Sequence, residues 1–150
     1  MILIIILILV VVSDICLSIY RDYRRGNTYK KSLAESKKEN KELLVIGDPY
    51  SGFWNSYIHK SYGCGDTCLD LSSSKCTNSI QGDVLVELKK MKNNQYVIFE
   101  SCVLEYVDQT QLEEIKNELY RVSGGDYYSV RISPNIFPTN ISFIETGRII

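Results

Sequence analysis

One histidine, one tryptophan, two methionines and three prolines are all that the 150 residues hold of those four types. With His59 as the lone imidazole, a histidine-built metal centre has no material. A hydrolytic relay has one candidate base, for which a surface or capping role is the plainer reading. Positive charge is also short: the net charge is -1. It is unevenly spread, because residues 20–42 hold eight Lys or Arg against four acids, whereas residues 43–150 hold nine against thirteen. A mildly acidic domain lacks the electrostatic footprint of a nucleic-acid binder, so no nucleic acid is expected as partner. The five cysteines fit no compact zinc spacing, since Cys64-x3-Cys68-x7-Cys76 with His59 upstream is too irregular, and no metal is expected.

Aliphatic surface at the front is what the chain has in excess. Ile2, Leu3, Ile4, Ile5, Ile6, Leu7, Ile8, Leu9, Val10, Val11 and Val12 run without a break. Continued to Ile19, a helix would reach roughly 28 Å at about 1.5 Å per residue, close to a hydrocarbon core of about 30 Å. Asp14 opposes insertion by about 2.5 to 3.5 kcal/mol, but lies past the middle of the run. A cleaved signal peptide would want a basic leader and a small-residue cleavage site; only Met1 precedes the run and nothing like Ala-x-Ala follows. A buried core helix is the other reading, because eleven apolar residues alone are short for a span.

The expectation is a transmembrane anchor over residues 1–19. Arg21, Arg24, Arg25, Lys30 and Lys31 follow it against one acid, Asp22. By the positive-inside rule, residues 20–150 then face the cytoplasm. On that side Cys64, Cys68, Cys76 and Cys102 are expected as free thiols, and Asn140-Ile141-Ser142 is an inert sequon. Residues 20–42, polar and proline-free with an early break at Gly26-Asn27, read as a basic spacer suited to anionic headgroups. Residues 43–150 suffice for one compact α/β domain.

Within it, Leu43-Leu44-Val45-Ile46 is continuously apolar, as a parallel strand covered on both faces requires. Gly47-Asp48-Pro49 stops it. Residues 67–71 form a second short strand, with Tyr50, Phe53, Trp54, Tyr57 and Tyr62 between the two as packing or as a partner surface. Gly82-Asp83 opens a helix over residues 84–91, and residues 96–99 are the clearest strand. Thr110-x-x-Glu113 has the form of a capping box ahead of Leu112, Ile115, Leu119 and Val122, apolar at helical spacing. Gly124-Gly125 supplies a left-handed stop before a strand at residues 127–132, closed by Pro134. Strands alternating with helices imply right-handed crossovers and a mostly parallel, Rossmann-type sheet.

In this order the motifs resemble those of class I S-adenosylmethionine-dependent methyltransferases, over residues 43–132. Leu44-Val45-Ile46-Gly47 resembles that family's first strand and glycine motif, and Asp70 stands 23 residues on, where its ribose-binding acid does. Residues 96–101 followed by Val103-Leu104-Glu105-Tyr106-Val107 resemble its fourth strand and the helix start after it. Arg121-Val122-Ser123-Gly124-Gly125 resembles its step into the fifth strand. The resemblance implies Gly47, Gly52 and Asp70 as cofactor contacts, with Asp48, Asp70, Glu100 and Glu105 at the carboxyl ends of the strands, or else as helix caps and loop acceptors. The chain departs from the pattern at Asp48-Pro49, which replaces part of a glycine-rich loop and removes an N–H. It ends 18 residues after Ile132, too soon for the two further strands the family adds.

The expectation is therefore a truncated, methyltransferase-like α/β domain behind a membrane anchor, without a cofactor and without catalysis. It would join a lipid bilayer to other proteins, as a minor capsid protein does beside a virion's inner membrane. The competing expectations are a membrane-associated methyltransferase using S-adenosylmethionine and a secreted, disulfide-bonded domain.

Overall fold

Four consecutive aliphatic residues need cover on two sides, and the centre of the fold is built around that need. A computed structural model describes residues 2–50, 61–132 and 144–149. After a long helix α1 (Ile2–Glu39) come β1 (Glu42–Ile46), β2 (Thr67–Asp70), β3 (Ser79–Gln81), α2 (Val84–Lys90) and β4 (Tyr96–Ser101). A single 3-10 turn (Leu104–Tyr106), α3 (Gln109–Ser123), β5 (Tyr127–Ile132) and β6 (Ile144–Ile149) complete the order. The strands form one sheet, β3-β2-β1-β4-β5-β6, parallel from β3 to β5 with β6 antiparallel on β5. This is a mixed α/β, Rossmann-like fold.

Because successive strand residues point to opposite faces, β1 contributes to both cores. Leu44 and Ile46 join Leu69, Ile98, Leu85 and Leu88 of α2, and Ile115, Leu119 and Val122 of α3. Leu43 and Val45 join Val97, Phe99, Tyr128 and Val130 on the other face, against Tyr29 and Leu33 of α1. Tyr29 meets Phe99 edge to face at 5.4 Å between ring centroids, a preferred aromatic geometry.

The expected spacer is thus the second half of α1. Thr28, Ser32 and Ser36 are buried at four-residue intervals, which puts them on one helix face. Their hydroxyls donate to the carbonyls of Arg24 (3.0 Å), Tyr29 (2.8 Å) and Lys41 (2.7 Å), so these small polar groups are buried with their bonds made. Nor does Gly26-Asn27 break the helix. A Cβ at Gly26 would sit 2.8 Å from the carbonyl oxygen of Ser61; the glycine admits a neighbouring backbone.

The first half of α1 is the reverse: Ile2 is 75 % exposed, Leu7 64 % and Leu9 60 %, and every residue from 4 to 12 is exposed. Among the described residues no helix is long and apolar enough to cross a membrane, so the anchor expected over residues 1–19 does not stand as a spanning helix on those residues.

Two further expectations change. The cap of α3 is Asp108, whose carboxylate accepts from the Thr110 amide and hydroxyl, both at 2.9 Å; Glu113 pairs with Lys116 instead. Aspartate caps as well as threonine does, and it comes first. The chain also has length enough for an antiparallel strand, since β6 pairs with β5 from Ile132↔Ile144 to Tyr127↔Ile149. It closes an edge that would otherwise offer a row of unpaired backbone groups. Arg121 ties the two helices of one face together, donating to the carbonyls of Leu88 and Met91 at 2.9 Å each. That satisfies the open C-terminal end of α2.

Candidate functional site

In an open α/β sheet, ligands gather at the carboxyl ends of the strands where the strand order reverses. Here that place lies between β1 and β4, and Gly47 opens it. Its φ of +103° and the 3.0 Å approach of Ser101 O and Val103 Cγ2 to a would-be Cβ both require glycine. Its amide donates to Leu69 O (2.9 Å) and its carbonyl accepts from the Tyr62 hydroxyl (3.3 Å).

The neighbouring carboxylates are turned inward. The Asp48 amide donates to Asp70 Oδ2 at 2.9 Å, while Asp70 Oδ1 accepts from the Ser72 amide (2.9 Å) and hydroxyl (2.7 Å). Asp48 Oδ1 in turn accepts from the Tyr50 amide (3.1 Å) and the Ser74 hydroxyl (2.7 Å). A carboxylate offers about four lone-pair sites. At Asp70 three donors from its own loops occupy three of them, so a ligand hydroxyl could use the site left on Oδ2 but one needing Oδ1 would have to displace Ser72. The Ser72-Ser73-Ser74 run supplies this closure; serines just after a strand-ending aspartate were the available signal.

Glu100, fully buried at the end of β4, accepts from the Val103 amide (2.5 Å), the Leu104 amide (3.2 Å), the Ser129 hydroxyl (2.5 Å) and the Tyr127 hydroxyl (3.4 Å). Burial raises its pKa above the ordinary 4.5, against the lowering effect of the Ser129 and backbone donors. It caps the 3-10 turn on which the exposed Glu105 rides. The structure therefore brings Gly47, Asp48 and Asp70 into one bonded unit and makes Glu100 a structural acceptor. Gly52, Phe53, Trp54, Tyr57, His59, Pro134 and the sequon lie outside the described residues; Tyr50 is half-buried.

Cys64 and Cys76 are joined in a disulfide with Cα atoms 5.7 Å apart, correcting the expectation of free thiols there. The bond straps β2 and the Asp70–Ser74 loop from both sides, and Ser74 also accepts from the Cys76 amide (3.1 Å). Cys68, buried inside this strap, has its thiol pushed up to about 11 by burial, which leaves it a poor nucleophile near neutrality. Cys102, at φ +58°, receives a 3.4 Å contact from Arg25 Nη2. Arg25 also lies 5.9 Å from the Tyr62 ring centroid and 3.8 Å from Asp22, so it belongs to the fold and not to a free basic flank. Among the described residues no group of three or more side chains is placed to hold a metal ion.

No protein-family model matches the chain, and neither does any curated protein. Among solved structures it is similar to an SAM-dependent methyltransferase from Archaeoglobus fulgidus, at 19 % identity and a TM-score of 0.47. That likeness covers 68 % of this chain and 51 % of the other, so the chain spans about half the length of the structure it matches.

Proposed function

We propose that the chain is a membrane-tethered, non-catalytic interaction protein: the first half of α1 inserts into lipid and the Rossmann-like sheet is the part that other proteins bind. The observation that carries this is the unbroken exposure of residues 4–12. Consecutive exposed aliphatics cover every side of a helix, whereas a helix lying along a surface shows one apolar stripe. The eleven aliphatic residues 2–12, at about -0.3 to -0.6 kcal/mol each, favour insertion by roughly 3 to 7 kcal/mol, which offsets the about 2.5 to 3.5 kcal/mol by which Asp14 opposes it. The absence of catalysis is supported by Asp70, whose Oδ1 is taken up by Ser72 and whose Oδ2 already holds the Asp48 amide, which leaves it at most one acceptor site for a ligand. For the Cys64–Cys76 bond to persist the sheet faces an oxidising compartment. That is the opposite side from the one expected of the basic flank, one of whose cations, Arg25, is spent inside the fold.

Washing membranes that carry the full chain with alkaline carbonate tests the tether. The protein is expected to stay in the pellet, and its recovery in the supernatant would end the proposal. Calorimetry of the same protein in detergent with S-adenosylmethionine tests the second half: no heat of binding is expected. Micromolar binding lost in Asp70→Ala would overturn the non-catalytic reading in favour of a membrane-associated methyltransferase.

A further inference from the structure

The loop that follows β2 covers the strand ends without being part of the fold's interior. Leu71, Ser72, Ser73 and Lys75 are exposed, and among the described residues none of 71–75 joins either core. Ser72 bonds to Asp70, two residues before it, which shapes a local turn but ties the loop to nothing distant. Two ties reach further. The Ser74 hydroxyl donates to Asp48 Oδ1 just beyond β1 (2.7 Å), and the Cys64–Cys76 bond returns the chain to the segment ahead of β2. Because the Cys76 amide donates to Ser74 Oγ (3.1 Å), the second tie sets the place of the first. Lys75 Nζ, 5.9 Å from the Tyr50 ring centroid, adds a weaker contact.

We propose that the Cys64–Cys76 bond is a redox latch: closed, it holds Ser74 on Asp48 across the strand ends, and reduced, it lets residues 71–76 swing off them. The inference goes beyond the membrane reading and uses none of it. Cys64 is half-buried and Cys76 buried, so a dithiol reductant reaches the Cys64 sulfur first. Its thiolate forms a bond to Cys64 Sγ, the Cys64–Cys76 bond breaks, and Cys76 leaves with the electron pair and takes up a proton. The reductant's second sulfur then displaces Cys64 in the same way, and the reductant ends as a disulfide. Two electrons and two protons have passed to the pair. Cys68 does not compete inside the strap, because burial holds its thiol up at about 11. Opening stays local because β2 keeps Cys68 and Leu69 buried and its ladders to β1 and β3, none of which the bond supplies.

Brief digestion of the full chain in detergent with trypsin tests the latch, since Lys75 is exposed within the loop. Oxidised and dithiol-treated samples are compared, and the fragments are weighed after complete reduction. Dithiol treatment is expected to speed the cut after Lys75 on the order of tenfold. That cut should come well before any at Lys89, Lys90 or Lys116 in α2 and α3. An unchanged rate at Lys75 would overturn the latch. So would helices cut in step with Lys75, which would make the bond a staple of the whole sheet. Cys64→Ala with Cys76→Ala, never treated with dithiol, is expected to be cut as reduced wild type is. Resistance like that of the oxidised protein would mean that the dithiol acts elsewhere, and the proposal would fall. Asp48, buried when the latch is closed, is expected to couple faster to a carbodiimide-activated amine after reduction; an unchanged rate would deny that Ser74 leaves it. Reduction should need no urea, and a bond that yields only as the sheet unfolds would also overturn the latch.

Discussion

The two halves of α1 are one uninterrupted helix and obey opposite rules. Residues 2–12 are all aliphatic, and those from 4 to 12 are exposed, while residues 20–39 are polar in composition and bury Thr28, Ser32 and Ser36 against the sheet. In water the first half would leave a large apolar area uncovered, and the second would gain little from its buried hydroxyls beyond closeness of approach. Hydropathy alone therefore misassigns the second half, which reads as a solvated spacer and packs on the sheet. What separates them is cover: the second half has a protein face to close upon, and the first has none among the described residues.

The largest test breaks the first half alone. Leu7→Arg with Val11→Arg puts two charges where each opposes insertion by about 2.5 to 3.5 kcal/mol, so membrane retention is expected to vanish. The sheet's unfolding midpoint should not move. A fall in that midpoint would mean the apolar half packs on protein, and the contrast between the halves would be lost.

Next in size is Glu100, which tests whether the sheet holds itself together without help from the membrane half. Glu100→Ala strands four donors in a buried site and should cost about 3 to 5 kcal/mol. Glu100→Gln can keep its oxygen on the two amides while the hydroxyls turn to accept from its NH2 group, and should cost under about 1 kcal/mol. The sign of the pH effect follows from the raised pKa. The folded state binds the proton more tightly, so this contribution is fully present below the ordinary value of 4.5 and is lost as pH rises through the folded one. Denaturation from pH 4 to 8 should show stability falling with pH in that window for wild type and less so for Glu100→Gln. Parallel curves for the two would remove Glu100 as the cause.

Reducing the Cys64–Cys76 bond should cost the sheet about 3 kcal/mol by freeing a loop of sequence separation 12. Retention on membranes should be unaffected, again separating the halves. Alkylation of the native protein before reduction should leave both cysteines unlabelled; labelling of the pair would return them to the free-thiol expectation.

How much of this could be read from residues alone follows the same division. β1, β4 and β5, and the inner face of α3, were legible because apolar runs and three-to-four spacing report burial directly. β3 was not, since Ser79–Gln81 holds one apolar residue, and its pairing is imposed by β2. The second half of α1 was hidden because small hydroxyls satisfied within the helix look like solvent-facing ones in a sequence. The carboxyl-edge residues Gly47, Asp48 and Asp70 were found by their place after strands; their closure by Ser72 and Ser74 is a matter of loop geometry that spacing does not encode. The disulfide was missed because the compartment was inferred first and the cysteines second.

The smallest test sits near the junction of the halves. Gly26→Ala in a free helix would gain about 1 kcal/mol, and if residues 20–39 were a solvated spacer that gain should appear in full. In the fold the new methyl group meets the Ser61 carbonyl oxygen at 2.8 Å. Backbone cannot swing aside as a side chain can, and overpacking of this kind costs about 1 to 3 kcal/mol. The two terms leave a net loss of about 1 kcal/mol, read as a lower midpoint in urea with the slope unchanged. A higher midpoint would show that the helix stands off from residue 61, and the closeness of approach on which the comparison rests would go with it.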